Sequence, residues 1–361
     1  MSELPTIVRS MSARMPWHVA QKIFKMENIA VSHGWDKTEL KLSSTDFSQE
    51  ARSHLIKSLH EHIVFGEKFV KYYPVTSMVM AQLRETIVNY SLPESRFREN
   101  YPYSLTEEEM QTIDREAIDL GLVPTSVEHL GDGVALVYCS LRVLTAREQL
   151  EPEDFPDIPE KFFTQFDELV GFKRKYSQAF DVIWIPRQGD YVEVLVDRPS
   201  GMTQDMAHAA HSKIKEHVNE LVGEQVITDP VNLFPLIERM YLTPDEGKVV
   251  ELGFSTTTGS VKQERMRRSS ECLRRETYHV GGKAALRGAI EPFRVSIVWS
   301  LPLGNDRSSY PELSLNSTSR GVSAGAPLVN AATIRKCMGR ADYEYVRSRV
   351  YAHLQRLAPS P

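Results

Sequence analysis

Two apolar runs flank a five-residue turn in "AFDVIWIPRQGDYVEVLVDRP", residues 179–199. The turn is Pro186-Arg187-Gln188-Gly189-Asp190. Apolar, β-branched runs around such a turn predict a β-hairpin. A hairpin pairs its strands antiparallel, so a sheet built from hairpins is not the product of strand–helix–strand crossovers. "ERMYLTPDEGKVVELGFS", residues 238–255, predicts a second hairpin, with Pro244 and Gly247 in its turn. "FRVSIVWSL" and "PELSLNS" predict a last pair of strands. Helical patterns lie between and after them. "MTQDMAHAAHSKIKEHVNELVG" stops at Gly223, and "NAATIRKCMGRADYEYVRSRVYAHLQRL" closes the chain. Hairpins interspersed with helices predict an α+β fold.

The first 145 residues read mainly as helices. Pro16 opens "PWHVAQKIFKM". Asp46 or Ser48 caps "DFSQEARSHLIKSLHEHIVF", whose Leu55, Ile56, Leu59 and Ile63 share one face. "VTSMVMAQLRETIVNYSL" and "SLTEEEMQTIDREAIDLGL" follow, the latter with Ser104 or Thr106 as cap and glutamates in its first turn. "FVKYYPV" and "GDGVALVYCSLRVL" predict strands.

"LEPEDFPDIPEKF" then concentrates prolines and carboxylates, the composition of a linker. It divides the chain into a mainly helical, acidic region, 1–150, and an α+β region, 159–361. Within the second region the charge is uneven. From Ser260 to Pro361 there are 17 Lys and Arg against 8 Asp and Glu, a surplus of nine positive charges. The whole chain carries −5, so the first 259 residues carry −14. A polyanion would meet the C-terminal third, and other proteins the acidic N-terminal region.

The stretch "GFSTTTGSVKQERMRR", residues 253–268, sits where that surplus begins. Four hydroxyls and a glycine precede a run read here as a helix, with Met266 and Leu273 on a narrow apolar seam. Free N–H groups at a helix start, the helix dipole and nearby hydroxyls suit a phosphate. Thr257, Thr258, Ser260, Lys262, Arg265, Arg267, Arg268, Arg274, Arg275, Lys283 and Arg287 are the candidate phosphate-binding residues. On the helical wheel Arg265, Arg268 and Arg275 share one side, and Arg267 and Arg274 share another. The bland reading is a solvated helix with an ordinary cap.

The remaining motifs carry less. Lys283 follows a Gly-Gly pair, but Thr277 and Ala284 stand where a phosphate loop needs Gly and Ser or Thr, so the pair reads as a turn presenting Lys283. Gly321-Val322-Ser323-Ala324-Gly325 matches a nucleophile elbow, yet a polar segment precedes it and only 30 residues would hold the triad. Asp205, His208 and His211 spread too widely around a helix for one tetrahedral ion, and His217 reads as a satisfied core histidine. Asp181, Glu193 and Asp197 sit on the first hairpin. They are the candidate ligands of a metal-dependent nuclease or phosphohydrolase, or else surface charges on an edge strand.

The apolar share of 41% and charged share of 25% exclude a disordered chain. Cys139, Cys272 and Cys337 have no paired spacing, which fits a reducing cytoplasm and neither a disulfide framework nor a zinc ribbon. No apolar run reaches about 18 residues, and the N-terminus has no signal-like core. The expectation is a non-enzymatic component that binds DNA or RNA, with no metal, cofactor or membrane association. As a class, it would be cytoplasmic and part of a multi-protein bacterial system such as antiviral defence. The alternatives are the hairpin-carboxylate hydrolase and a protein–protein scaffold.

Overall fold

The computed structural model describes residues 3–357 except 43, 44, 46, 114–120, 132, 152, 154, 158, 164, 199, 200, 269, 324 and 326. Helices Glu3–Ser12, Trp17–Met26, Trp35–Leu42 and Gln49–Phe65 open the chain. Strand β1 is Lys68–Pro74, followed by helices Ser77–Val88, Arg96–Asn100 and Glu107–Gln111. Strands β2 (Val123–Leu130), β3 (Gly133–Gln149), β4 (Val170–Pro186) and β5 (Tyr191–Asp197) come next, with the short helix Glu160–Phe163 between β3 and β4. Helices Gln204–Val222 and Phe234–Leu242 lead to β6 (Lys248–Ser255) and β7 (Val261–Arg265). A 3₁₀ turn, Leu273–Arg275, and helix Thr277–Ala284 precede β8 (Glu291–Val298), β9 (Leu301–Gly304), β10 (Arg307–Ser309) and β11 (Glu312–Asn316). Helix Ser319–Ser323, β12 (Ala332–Arg335) and helix Arg340–Gln355 finish it.

The fold is α+β, as the hairpin pattern predicts. One ten-stranded sheet runs β2-β3-β4-β5-β1-β12-β11-β8-β6-β7, with every neighbouring pair antiparallel. Its central strands are buried on both faces. On β4, Phe180, Val182 and Trp184 join the core under the N-terminal helices and helices 234–242 and 340–355. Ile183 and Ile185 join a second core under helices 77–88 and 204–222. The two-residue period of a strand assigns alternate side chains to these cores.

Local signals are met where local energy suffices. Ser48 accepts a hydrogen bond from Ala51 N, Thr76 from Val79 N and Thr203 from Met206 N. Thr106 and Glu109 form the reciprocal capping box. Gly223 ends its helix in the left-handed region at φ +78°, which a glycine adopts without Cβ strain. The stretch 104–122 is helical over 107–111, and residues 114–120 of it lie outside the described residues.

Three readings are corrected. Residues 260–275 are not a helix: Val261–Arg265 is the edge strand β7, and helical geometry returns only as the 3₁₀ turn at Leu273–Arg275. Lys, Gln, Glu, Arg and Met are good helix formers, which is why the segment reads that way. The Thr256–Ser260 turn instead folds the chain back onto β6, pairing Ser255 with Val261 and Glu251 with Arg265. The predicted second hairpin is helix 234–242, a turn and then β6, so residues 238–242 are helical. Gly281 and Gly282 lie inside helix 277–284 rather than in a turn.

Residues 150–158 join β3 to β4, which pair from Gly133↔Pro186 out to Gln149↔Val170. β1, from the N-terminal region, lies between β5 and β12. Limited proteolysis should therefore nick 150–158, and the two pieces should co-elute on size exclusion in native buffer, because the ladders holding β1 and β3 cross the cut. Separation of the pieces without denaturant would show that the two regions fold independently.

Candidate functional site

The predicted basic residues gather along the free edge of the sheet. β7 is a terminal strand, with β6 as its one partner in the sheet. Lys262 and Glu264 share one face of β7 by strand period, and Gln263 and Arg265 the other. At one end of β7 stands the β6–β7 turn. Gly259 takes φ +80° there. Thr256 Oγ1 lies 2.8 Å from Thr258 Oγ1 and 2.9 Å from Ser260 Oγ, and accepts from Ser260 N at 3.2 Å. These hydroxyls satisfy one another inside a hairpin turn, so the turn is not the start of a helix aimed at an anion. Gly288 packs against Thr257, with no room for a Cβ, and this brings neighbouring Arg287 to the turn.

At the other end of β7 is a cavity of about 650 Å³, lined by Tyr241, Lys248, Met266, Glu271, Arg274, Arg275 and Lys283 among others. Lys248 was not among the predicted residues; it donates to Ser270 O at 2.8 Å. Arg274 is spent on structure. Its guanidinium donates to the carbonyls of Tyr241 (2.6 Å), Met240 (2.6 Å), Gly247 (3.0 Å) and Glu246 (3.1 Å). Two of these carbonyls belong to the last turn of helix 234–242, where orphan acceptors need such a donor.

Helix 277–284 is clamped to the edge by a chain of hydrogen bonds. Lys283 Nζ donates to Tyr241 Oη at 2.6 Å. Tyr241 Oη is 2.8 Å from His279 Nε2, and His279 Nδ1 is 2.6 Å from Glu264 Oε2. Glu264, as a carboxylate, accepts from His279 Nδ1. The chain ties β7, helix 234–242 and helix 277–284 together and holds Lys283 at the cavity. Lys262, Arg265, Arg267, Arg268, Arg275 and Arg287 are exposed. None of the six side chains forms a hydrogen bond or ion pair with another described residue.

The hairpin carboxylates are not surface charges, because β4, β5 and β1 lie inside the sheet. Glu193 and Asp197 share one face of β5, and Asp181 is on the opposite face of β4. Glu193 accepts from Tyr343 Oη (2.5 Å) and Tyr351 Oη (2.7 Å), with Arg347 at 3.5 Å. Asp181 pairs with Arg142 at 2.5 Å and accepts from Asp197 N at 2.9 Å. Asp197 binds Lys68 Nζ at 2.5 Å, Arg14 Nη2 at 2.8 Å and Phe180 N at 2.7 Å. Burial pushes Asp181 and Glu193 above the usual carboxylate range. Burial presses Asp197 the same way, but Arg14 and Lys68 outweigh it and hold Asp197 well below that range. Carboxylates committed to cations and phenols have little left for a metal. Among the described residues no group of three His, Cys, Asp or Glu side chains is placed to hold one.

The other motifs resolve into packing. His217 Nδ1 meets Tyr138 Oη at 3.0 Å, a satisfied histidine. His353 meets Glu246, and Asp342 accepts from Ser309 Oγ. Cys139, Cys272 and Cys337 are free thiols. No described helix is long and apolar enough to cross a membrane. Sequence reading passed over Arg14, His62 and Lys68. The available signal was position: His62 lies three residues after Leu59 on an apolar helix face, and Lys68 opens an apolar strand.

No protein-family model, no curated protein and no solved structure matches this chain.

Proposed function

We propose that this chain binds a polyanion, a nucleic acid backbone, along the β7 edge. One observation carries the reading: Lys262, Arg265, Arg267, Arg268, Arg275 and Arg287 stand exposed along one edge without a partner. In the protein interior, Arg14, Arg142 and Arg347 are each paired with a carboxylate of the sheet. Unpaired cations in a row keep their hydration and counterions until an anion replaces them, and their release drives association. The exposed β7 backbone and the cavity beside it add hydrogen-bonding groups but no base-reading surface, so the expected preference is for charge and not sequence.

A second reading has its own support. A terminal strand invites pairing with another chain, and Lys and Arg on it block that pairing. On this view the cations protect solubility and bind nothing. Titration of the chain with duplex DNA, single-stranded RNA and heparin at several salt concentrations separates the two. Binding with a log–log salt slope of roughly −3 to −4.5, for three to five phosphate contacts on duplex DNA, supports the polyanion reading. Absence of binding to all three at low salt leaves only the guarding role.

A further inference from the structure

We propose that the outer end of the β3–β4 ribbon of one copy of this chain docks on the β7 edge of a second copy. β3 and β4 extend beyond the rest of the sheet. β2 pairs with β3 only as far as Cys139, and β5 pairs with β4 only over residues 182–184. Residues 145–149 and 170–174 therefore pair with each other alone, as a two-stranded arm. Helix Glu160–Phe163 lies in the loop at its tip.

The tip is both aromatic and acidic. Phe172 is 73% exposed on the arm. Phe162 and Phe166 are exposed side by side in the loop, their ring centroids 5.3 Å apart. Single exposed apolar side chains are ordinary, but adjoining aromatics leave area that a partner would remove from water. Residues 147–169 hold eight Asp and Glu against two Lys and Arg. Glu148 is paired with Lys173 at 2.5 Å and Glu168 with Arg147 at 3.2 Å. Glu153, Asp157 and Asp167 are exposed, and none forms an ion pair with another described residue. Such a tip repels nucleic acid and anionic lipid. It fits a basic protein surface that has an apolar part.

The chain carries that surface itself. The exposed cations of the β7 edge lie beside the 650 Å³ cavity, which Leu242, 60% exposed, lines together with Arg275 and Lys283. Tyr278, 74% exposed, and Val280 stand on helix 277–284, which is clamped to the same edge. A nucleic acid backbone accounts for the cations and not for these apolar side chains. An aromatic, acidic arm accounts for both, and aromatic and Arg side chains are what interface centres favour. Opposite charge steers arm to edge, and like charge keeps arm from arm and edge from edge. The contact joins two different patches, so it closes by reciprocal exchange of arms or runs head to tail. It stands without the polyanion reading; where both hold, arm and nucleic acid compete for one edge.

The test is sedimentation velocity of the full chain without nucleic acid, at concentrations up to about 100 μM. The parent chain should self-associate at low salt, and less as salt rises. Glu153→Lys, Asp157→Lys and Asp167→Lys combined should abolish association. Arg265→Glu, Arg268→Glu and Arg275→Glu combined should abolish it too. An equimolar mixture of these two variants should associate, because each then offers the charge the other lacks. Phe166→Ser with Phe172→Ser should weaken association by about tenfold or more, with the unfolding midpoint in urea unchanged. Titration of that phenylalanine variant with duplex DNA reports on the polyanion reading by itself, since its β7 edge is intact. The proposal is overturned if the parent chain stays monomeric at low salt, if the mixed variants stay apart, or if the phenylalanine variant associates like the parent.

Discussion

Asp197→Asn should lower the free energy of unfolding by about 3–5 kcal/mol, the cost of stripping one partner from a buried ion pair. The substitution keeps the shape but removes the charge that Lys68 and Arg14 share. Lys68 is wholly buried, its Nζ held between Asp197 Oδ1 and Phe180 O. Burial already pushes the Lys68 pKa down, so part of the cost is relieved if the lysine sheds its proton. Adding Lys68→Met should recover part of the loss, since one stranded cation is then gone. The pH dependence has a fixed sign. Asp197 is held below its unfolded value near 3.9, so its contribution is present above that pH and is lost as pH falls. The gap between parent and variant in urea unfolding should therefore be full at pH 7 and shrink below about pH 4. Asp181 and Glu193, both pushed up, act with the opposite sign, favouring the fold below their unfolded values. A loss under about 1 kcal/mol at pH 7, the range of exposed pairs, would mean that water screens this cluster.

Combining Arg265→Ala, Arg268→Ala and Arg275→Ala should cut the salt dependence of nucleic-acid binding by up to about 3 in log–log slope, at about 0.9 per lost contact. All sequences should weaken alike, because phosphate contacts carry no base information. Stability should move by no more than about 0.5 kcal/mol, since the three side chains are exposed. The expectation no longer depends on a helical wheel. Arg265 ends β7, Arg275 lines the 650 Å³ cavity, and Arg268 falls in the connection between them. The guarding role makes a different forecast for the same protein: an unchanged slope, with a rise in aggregation as the strand edge loses its charge.

The candidate edge was legible only as composition. The density of Lys and Arg after Ser260 is visible in the chain, but which of them are free is not. Arg274 looks like its neighbours in sequence and is bound to four carbonyls in the fold. Lys283 was read in a glycine turn and stands on a helix held through Tyr241 and His279. The hairpin carboxylates were read on an edge because strand order cannot be seen locally. β1 slots between β5 and β12, making β5 an interior strand and burying Glu193 and Asp197.

The sequence by itself determined what rests on neighbours a few residues apart. The caps at Ser48 and Thr106, the stop at Gly223, the β4–β5 hairpin and the α+β class all follow from short-range hydrogen bonds and two- or 3.6-residue periods. Tertiary structure alone decided the rest. Arg14 meets Asp197 across 183 positions, and Lys68 meets it across 129. Residues 261–265 are a strand because β6 offered an unpaired edge, and closing that ladder outweighs a helix preference of a few tenths of a kcal/mol per residue.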